Sequence, residues 1–134
     1  MADGTIDIAF DGNNFQFALF DDTELPGMRV AQASLEYSSF GAGYMSGPAT
    51  KQKRMWAISA IIPATQRASL ETLYDAWDTE RATGSNDAVV TLVDGLLAAD
   101  TTVYNTVFTE PPTYSTVGRG RTRYLKVSTV LMEL

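Results

Sequence analysis

The chain contains no histidine and no cysteine. The first absence excludes Ser-His-Asp triads, Cys-His dyads, imidazole acid-base catalysis and histidine-bearing zinc sites. The second removes disulfides, thiolate nucleophiles and thiolate metal sites together. Positive charge is also scarce. Ten Lys and Arg stand against sixteen Asp and Glu, a net charge of -6, so the phosphate backbone of a nucleic acid is on average repelled. Stable DNA or RNA binding is therefore not expected. No apolar run approaches the roughly 20 residues of a membrane-spanning helix, and Met1-Ala-Asp-Gly-Thr5 lacks the basic and apolar segments of a signal peptide. The expectation is a protein made and folded in a cytoplasm, with no membrane partner.

What is present suits one folded unit. At 134 residues, 45% of them hydrophobic, the chain can bury one core but not two ordinary ones, which predicts a single domain over 1–134. Ile6, Ile8 and Phe10 alternate, as do Phe15, Phe17 and Leu19, with Asp11-Gly-Asn-Asn14 between them, and this predicts a β-hairpin. A weaker alternation over 28–37 leads into the Gly- and Ser-rich stretch 38–50, read as a long exposed loop. Trp56, Ile58, Ala60 and Ile62 then share one face of a strand, and the other face is also rich in apolar residues, which predicts a central strand covered on both sides. Leu70, Leu73, Tyr74 and Trp77 follow at the i, i+3, i+4, i+7 spacing of one amphipathic helix over about 66–81, with Thr65 or Ser69 as candidate cap and Thr83-Gly84 as its stop.

Further strands are expected over 88–93, around Leu96 and Leu97, over 102–109 up to an interruption at Glu110-Pro-Pro112, and over 124–134, where Leu125, Val127, Thr129 and Leu131 share a face. Several strands around one helix predict a mainly β (α+β) fold, a β-sandwich or partly closed barrel of antiparallel strands flanked by that helix. Trp56, Ile58, Leu70, Leu73, Tyr74 and Trp77 are the expected core.

Few residues suggest chemistry. Asp75, Asp78 and Glu80 form the solvated side of the helix, and Asp21, Asp22 and Glu24 lack the spacing and distal glutamate of a calcium loop. No catalytic, metal-binding or cofactor-binding residue is assigned, and no cofactor is expected. Two carboxylates could serve a glycosidase without histidine, yet the acids lie mostly in turns and on the helix surface rather than in apolar pockets. Arg119, Arg121 and Arg123 form the one concentrated basic patch, which suits a carboxylate surface, a phosphate or plain solvent. Phe40, Tyr44 and Met45 place apolar area in the 38–50 stretch, to be covered by this domain or by a partner. These six residues are the candidate inter-subunit interface.

The stretch from Met55 to Trp77, a strand ending in proline and then a helix opening with a polar turn, resembles the small minor tail and distal-tail proteins of long-tailed bacteriophages and gene transfer agents. Thr91-Leu-Val-Asp-Gly95 and the closing strand from Tyr124 to Leu134 are similar to the later strands of that family. The resemblance covers about the last two-thirds of the chain as an order of elements, and it carries no catalytic signature. It implies a tail-tube-like domain and a homo-oligomeric ring, expected to be a hexamer, joining the tail tube to the tail tip or baseplate of a virion. Its implied neighbours are tail tube, tail tip or hub, and tape-measure proteins, and an acidic lumen would let DNA through without holding it. The major tube subunit is the nearest alternative. A small sugar- or protein-binding β module is the alternative from another class.

Overall fold

The computed structural model describes residues 4–20, 27–29, 34–37, 39, 41–46, 53–96, 102–117 and 123–134, with backbone alone at 28, 34–37 and 44–46. The first hairpin pairs β1 (Ile6–Phe10) with β2 (Asn13–Phe17), Ile6 opposite Phe17 and Phe10 opposite Asn13. Its two turn residues, Asp11 and Gly12, have φ of 47° and 80°. Both are left-handed, the twist a two-residue hairpin loop needs, and Asp and Gly are the residues that tolerate it. Ile6, Ile8, Phe15 and Phe17 are buried, as the alternation predicts, whereas Leu19 is 60% exposed. The reason is a change of partner. After Ala18 the chain enters β3 (Leu19–Phe20), which pairs with a different strand from the one that holds β2.

That strand is β7 (Arg54–Pro63). Trp56, Ile58, Ala60 and Ile62 face the core, and Pro63 ends it as expected. Its second face is covered only in part: Met55 is 38% exposed and Ala57 exposed, whereas Ser59 is buried and Ile61 half-buried. One edge of β7 is shared by two short strands, β3 on Ile61 and Ala60 and β4 (Met28–Arg29) on Met55 and Arg54. Between β4 and β7 in sequence, β5 (Ser34–Tyr37) and β6 (Gly43–Ser46) form a separate two-stranded sheet, Leu35 opposite Met45. The long loop expected over 38–50 is thus partly strand. Its glycines and serines hid a short ladder that is held by backbone hydrogen bonds and needs no apolar alternation.

A 3₁₀ turn (Ala64–Gln66) leads into α1 (Arg67–Ala82). Leu70, Leu73 and Trp77 are buried, and Tyr74 packs half-buried beside them. Neither Thr65 nor Ser69 caps the helix: the cap position is Gln66, with no side-chain bond, because the 3₁₀ turn carries the chain into the helix without the extended residue that capping requires. Gly84, at φ 78°, provides the left-handed exit that the sequence announces.

The last three strands are β8 (Val90–Asp94), β9 (Val103–Thr116) and β10 (Tyr124–Glu133). Leu96 lies in the turn after β8, and residues 97–101 are outside the described set. β9 runs through Glu110-Pro-Pro112 instead of stopping there. The prolines sit at a register shift opposite Thr129, where the ladder is already broken, and β8 pairs β9 only as far as Thr106. Proline's missing N–H therefore costs no bond. The Thr129 hydroxyl donates to the Glu110 carbonyl at 2.9 Å in the gap.

Eight strands make one antiparallel sheet in the order β2-β1-β8-β9-β10-β7-β3, with β4 also on β7. β2 and β3 stand at opposite ends of that order yet are separated in sequence by Ala18 alone. A single residue thus links the two end strands. Helix α1 packs against β1, β2 and β9, with Trp77 and Tyr74 against Phe108 at 5.2 and 5.1 Å between ring centres. Trp77 and Phe108 belong to the core that Trp56, Ile58, Val127 and Leu131 close from the sheet.

Candidate functional site

Inside the core a polar lock ties three distant segments. Trp56 Nε1 donates to Asp94 Oδ2 at 2.9 Å, and the Leu96 backbone N–H donates to the other oxygen of the same carboxylate at 2.9 Å. Gly27, at φ 83°, lies against this pair, and a Cβ there would stand 2.6 Å from Asp94 Oδ2 and 2.7 Å from the indole nitrogen. Gly27 N–H donates to the Met55 carbonyl, and Arg54 Nη1 donates to the Gly27 carbonyl at 2.7 Å. Asp94 is 1% exposed, so its carboxyl oxygens are satisfied by these donors rather than by water. Asp94 falls between the strands expected over 88–93 and around Leu96, and sequence reading misses this role because the partners lie 38 and 67 positions away and leave no local pattern.

The expected core residues are in place: Trp56, Ile58, Leu70, Leu73 and Trp77 are buried, with Tyr74 at the margin. Trp77 Nε1 donates to the Ala88 carbonyl at 3.0 Å, fixing the helix to the segment before β8. Burial pushes the Tyr74 hydroxyl pKa up, and the Asp78 carboxylate adds to the rise. Burial also raises Tyr114, with Glu71 adding to it, while the Arg67 guanidinium 4.6 Å from the ring centre opposes it.

The interface candidates fall on separate elements. Tyr44 and Met45 lie in β6, opposite Glu36 and Leu35, and Phe40 is outside the described residues. Arg123 is exposed, and its carbonyl accepts the Ala64 N–H at 2.8 Å just before α1. Arg119 and Arg121 are outside the described residues, as are Asp21, Asp22 and Glu24. On the helix, Asp78 pairs with Arg81 at 2.6 Å, while Asp75 and Glu80 face a cleft of about 760 Å³ together with Asp11 and Asp87. Among the described residues no group of three or more acids is placed to hold a metal ion, and no helix is long and apolar enough to cross a membrane.

The acidic cleft went unnoticed in the sequence, since its members come from the β1–β2 turn, α1 and the segment before β8. No protein-family model matches the chain, and no curated protein is similar to it.

Proposed function

We propose that the chain is a non-catalytic structural subunit of a phage-type tail, forming a ring that joins the tail tube to the tail tip or baseplate. In this reading the curled sheet is a tail-tube-like barrel, with β2 and β3 acting as one bent strand shared between β1 and β7. The observation that carries it is the β5–β6 hairpin. Its two strands pair with each other and, among the described residues, with no strand of the main sheet. A two-stranded hairpin is marginally stable in water unless its face or edge is covered, so an element of this kind gains most from a neighbouring subunit. The acidic surface suits a ring through which DNA passes without adhering. Tube, tip or hub, and tape-measure proteins are the neighbours such a ring would meet.

Negative-stain electron microscopy and light scattering across concentration test the reading. Single closed rings support the adaptor, and long tubes identify the major tube subunit instead. A strict monomer that also fails to join purified tail tubes or tips would overturn the proposal and favour a small binding module.

A further inference from the structure

The β5–β6 hairpin is carried by the two chain segments that the polar lock holds. We propose that the lock is the root of this hairpin: Arg54, and Asp94 acting through Trp56, are positioning residues that fix where the hairpin leaves the main sheet. The effect on assembly rests on the reading above, in which the hairpin meets neighbouring subunits; the effect on the hairpin's placement does not.

The chain enters the hairpin from β4 and leaves it into β7. Arg29 stands opposite Arg54 and Met28 opposite Met55, so the ingoing and outgoing segments lie side by side on one edge of the sheet. Four residues separate Arg29 from Ser34, and a fully extended chain puts the start of β5 no more than about 18 Å from Arg29. Whatever fixes β4 therefore limits where the hairpin stands.

β4 has little hold of its own. It is a two-residue strand, and its pairing sets two arginines directly opposite each other, which weakens a ladder. The grip comes from the lock beside it. Gly27 N–H donates to the Met55 carbonyl at 3.0 Å, and Arg54 Nη1 donates to the Gly27 carbonyl at 2.7 Å, so the arginine of the outgoing segment clamps the ingoing one. The Arg54 backbone N–H donates in turn to Glu133 Oε1 at 3.2 Å, which ties the clamp to β10. Behind it, Gly27 has no space for even a Cβ, because Asp94 Oδ2 and Trp56 Nε1 would stand 2.6 and 2.7 Å from it. That pair is fixed by its own 2.9 Å bond and by the Leu96 N–H on the second carboxylate oxygen. A buried polar network with matched donors and acceptors holds one geometry, since any displacement leaves a dry polar group unpaired. A hairpin held in place before it meets a neighbour loses less conformational freedom on docking than a loose one, and its contact is tighter for that reason.

The chain has no cysteine, so two introduced cysteines carry spin labels at chosen sites only. Ser39→Cys, between β5 and β6, and Ser128→Cys, on β10, are both at exposed positions. Double electron–electron resonance, on labelled protein diluted with unlabelled protein, reads the distance between them. The parent should give one narrow distribution. Arg54→Met keeps the stem and removes the donors, and Asp94→Asn turns one acceptor into a donor. Each should replace the narrow distribution by a broad one, while Arg54→Lys, which can still donate to the Gly27 carbonyl, should keep it narrow. In sedimentation velocity the midpoint concentration of assembly should rise at least about tenfold in the two broadened variants, because the hairpin is no longer held before docking. Melting by circular dichroism shows that each variant is folded, and Arg54→Met, at a half-buried position outside the hydrophobic core, decides alone if Asp94→Asn does not fold. A narrow distribution kept by a folded Arg54→Met, or a broad one in the parent, would overturn the inference. Assembly that is unchanged by a broadened hairpin would overturn its effect on assembly. A parent that never assembles, with the distances behaving as expected, removes the tail-subunit reading and leaves the root standing.

Discussion

At the scale of residues, the most constrained position is Gly27. Its φ of 83° and its approach to Asp94 and Trp56 exclude any side chain on two independent grounds. Gly27→Ala should lower unfolding stability by at least about 2 kcal/mol in urea titrations, since alanine at positive φ is strained and the added methyl pushes on a buried hydrogen bond. A loss within 0.5 kcal/mol of zero, roughly the scatter of a neutral surface change, would show that the lock is loose. Tyr114 carries a pH dependence. Its hydroxyl is shielded, and burial raises its pKa above the ordinary value of 10.0. Below pH 10 both folded and unfolded chains keep the proton, and the stabilisation is complete. Above it the unfolded chain ionises first, so stability falls as pH rises toward the folded pKa. Between pH 9.5 and 11.5, Tyr114→Phe should therefore lose stability less steeply than wild type; equal slopes would refute the assignment.

At the scale of elements, the β5–β6 hairpin and the main sheet share no ladder among the described residues. Replacing 34–46 by a short Gly-Ser linker should leave the melting temperature within about 4 °C, the shift that ~1 kcal/mol produces in a domain of this size, while abolishing assembly. A collapse of the fold would mean that the hairpin belongs to the core. The helix and β7 were legible in advance for one reason: Leu70, Leu73 and Trp77, and likewise Trp56 to Ile62, bury a face whose period is written in the chain. The continuity of β9 through Pro111 and Pro112 was not. Whether proline breaks a strand depends on whether its missing N–H would have had a partner, and that is set by β8 ending at Thr106 and by the shift at Thr129.

At the scale of the whole molecule, Ala18 alone separates the two end strands of the order. The buried indoles report from different elements, Trp56 on β7 and Trp77 on α1, but share one core. Unfolding followed by tryptophan fluorescence in Trp56→Phe and Trp77→Phe variants should coincide, variant by variant, with far-ultraviolet circular dichroism as one transition. Two separated transitions would mean that helix and sheet unfold independently. The acidic cleft also exists only at this scale. Asp11 is distant in the chain from Asp75, Glu80 and Asp87, and all four look like ordinary solvated acids until folding sets them around one hollow.

By itself the sequence determined a mainly β chain with one amphipathic helix, the apolar faces of that helix and of β1, β2, β7 and β10, and the absence of histidine and cysteine chemistry. These properties are local, because periodicity and composition act within a few residues of each other. Tertiary structure decided the rest: that Ala18 alone links the two end strands, that Asp94 locks Trp56 beneath Gly27, that the second face of β7 is covered only in part, and that four carboxylates line the cleft beside α1. Each of those depends on which strand pairs with which, and pairing partners tens of residues apart are selected by closing one core, which no local pattern encodes.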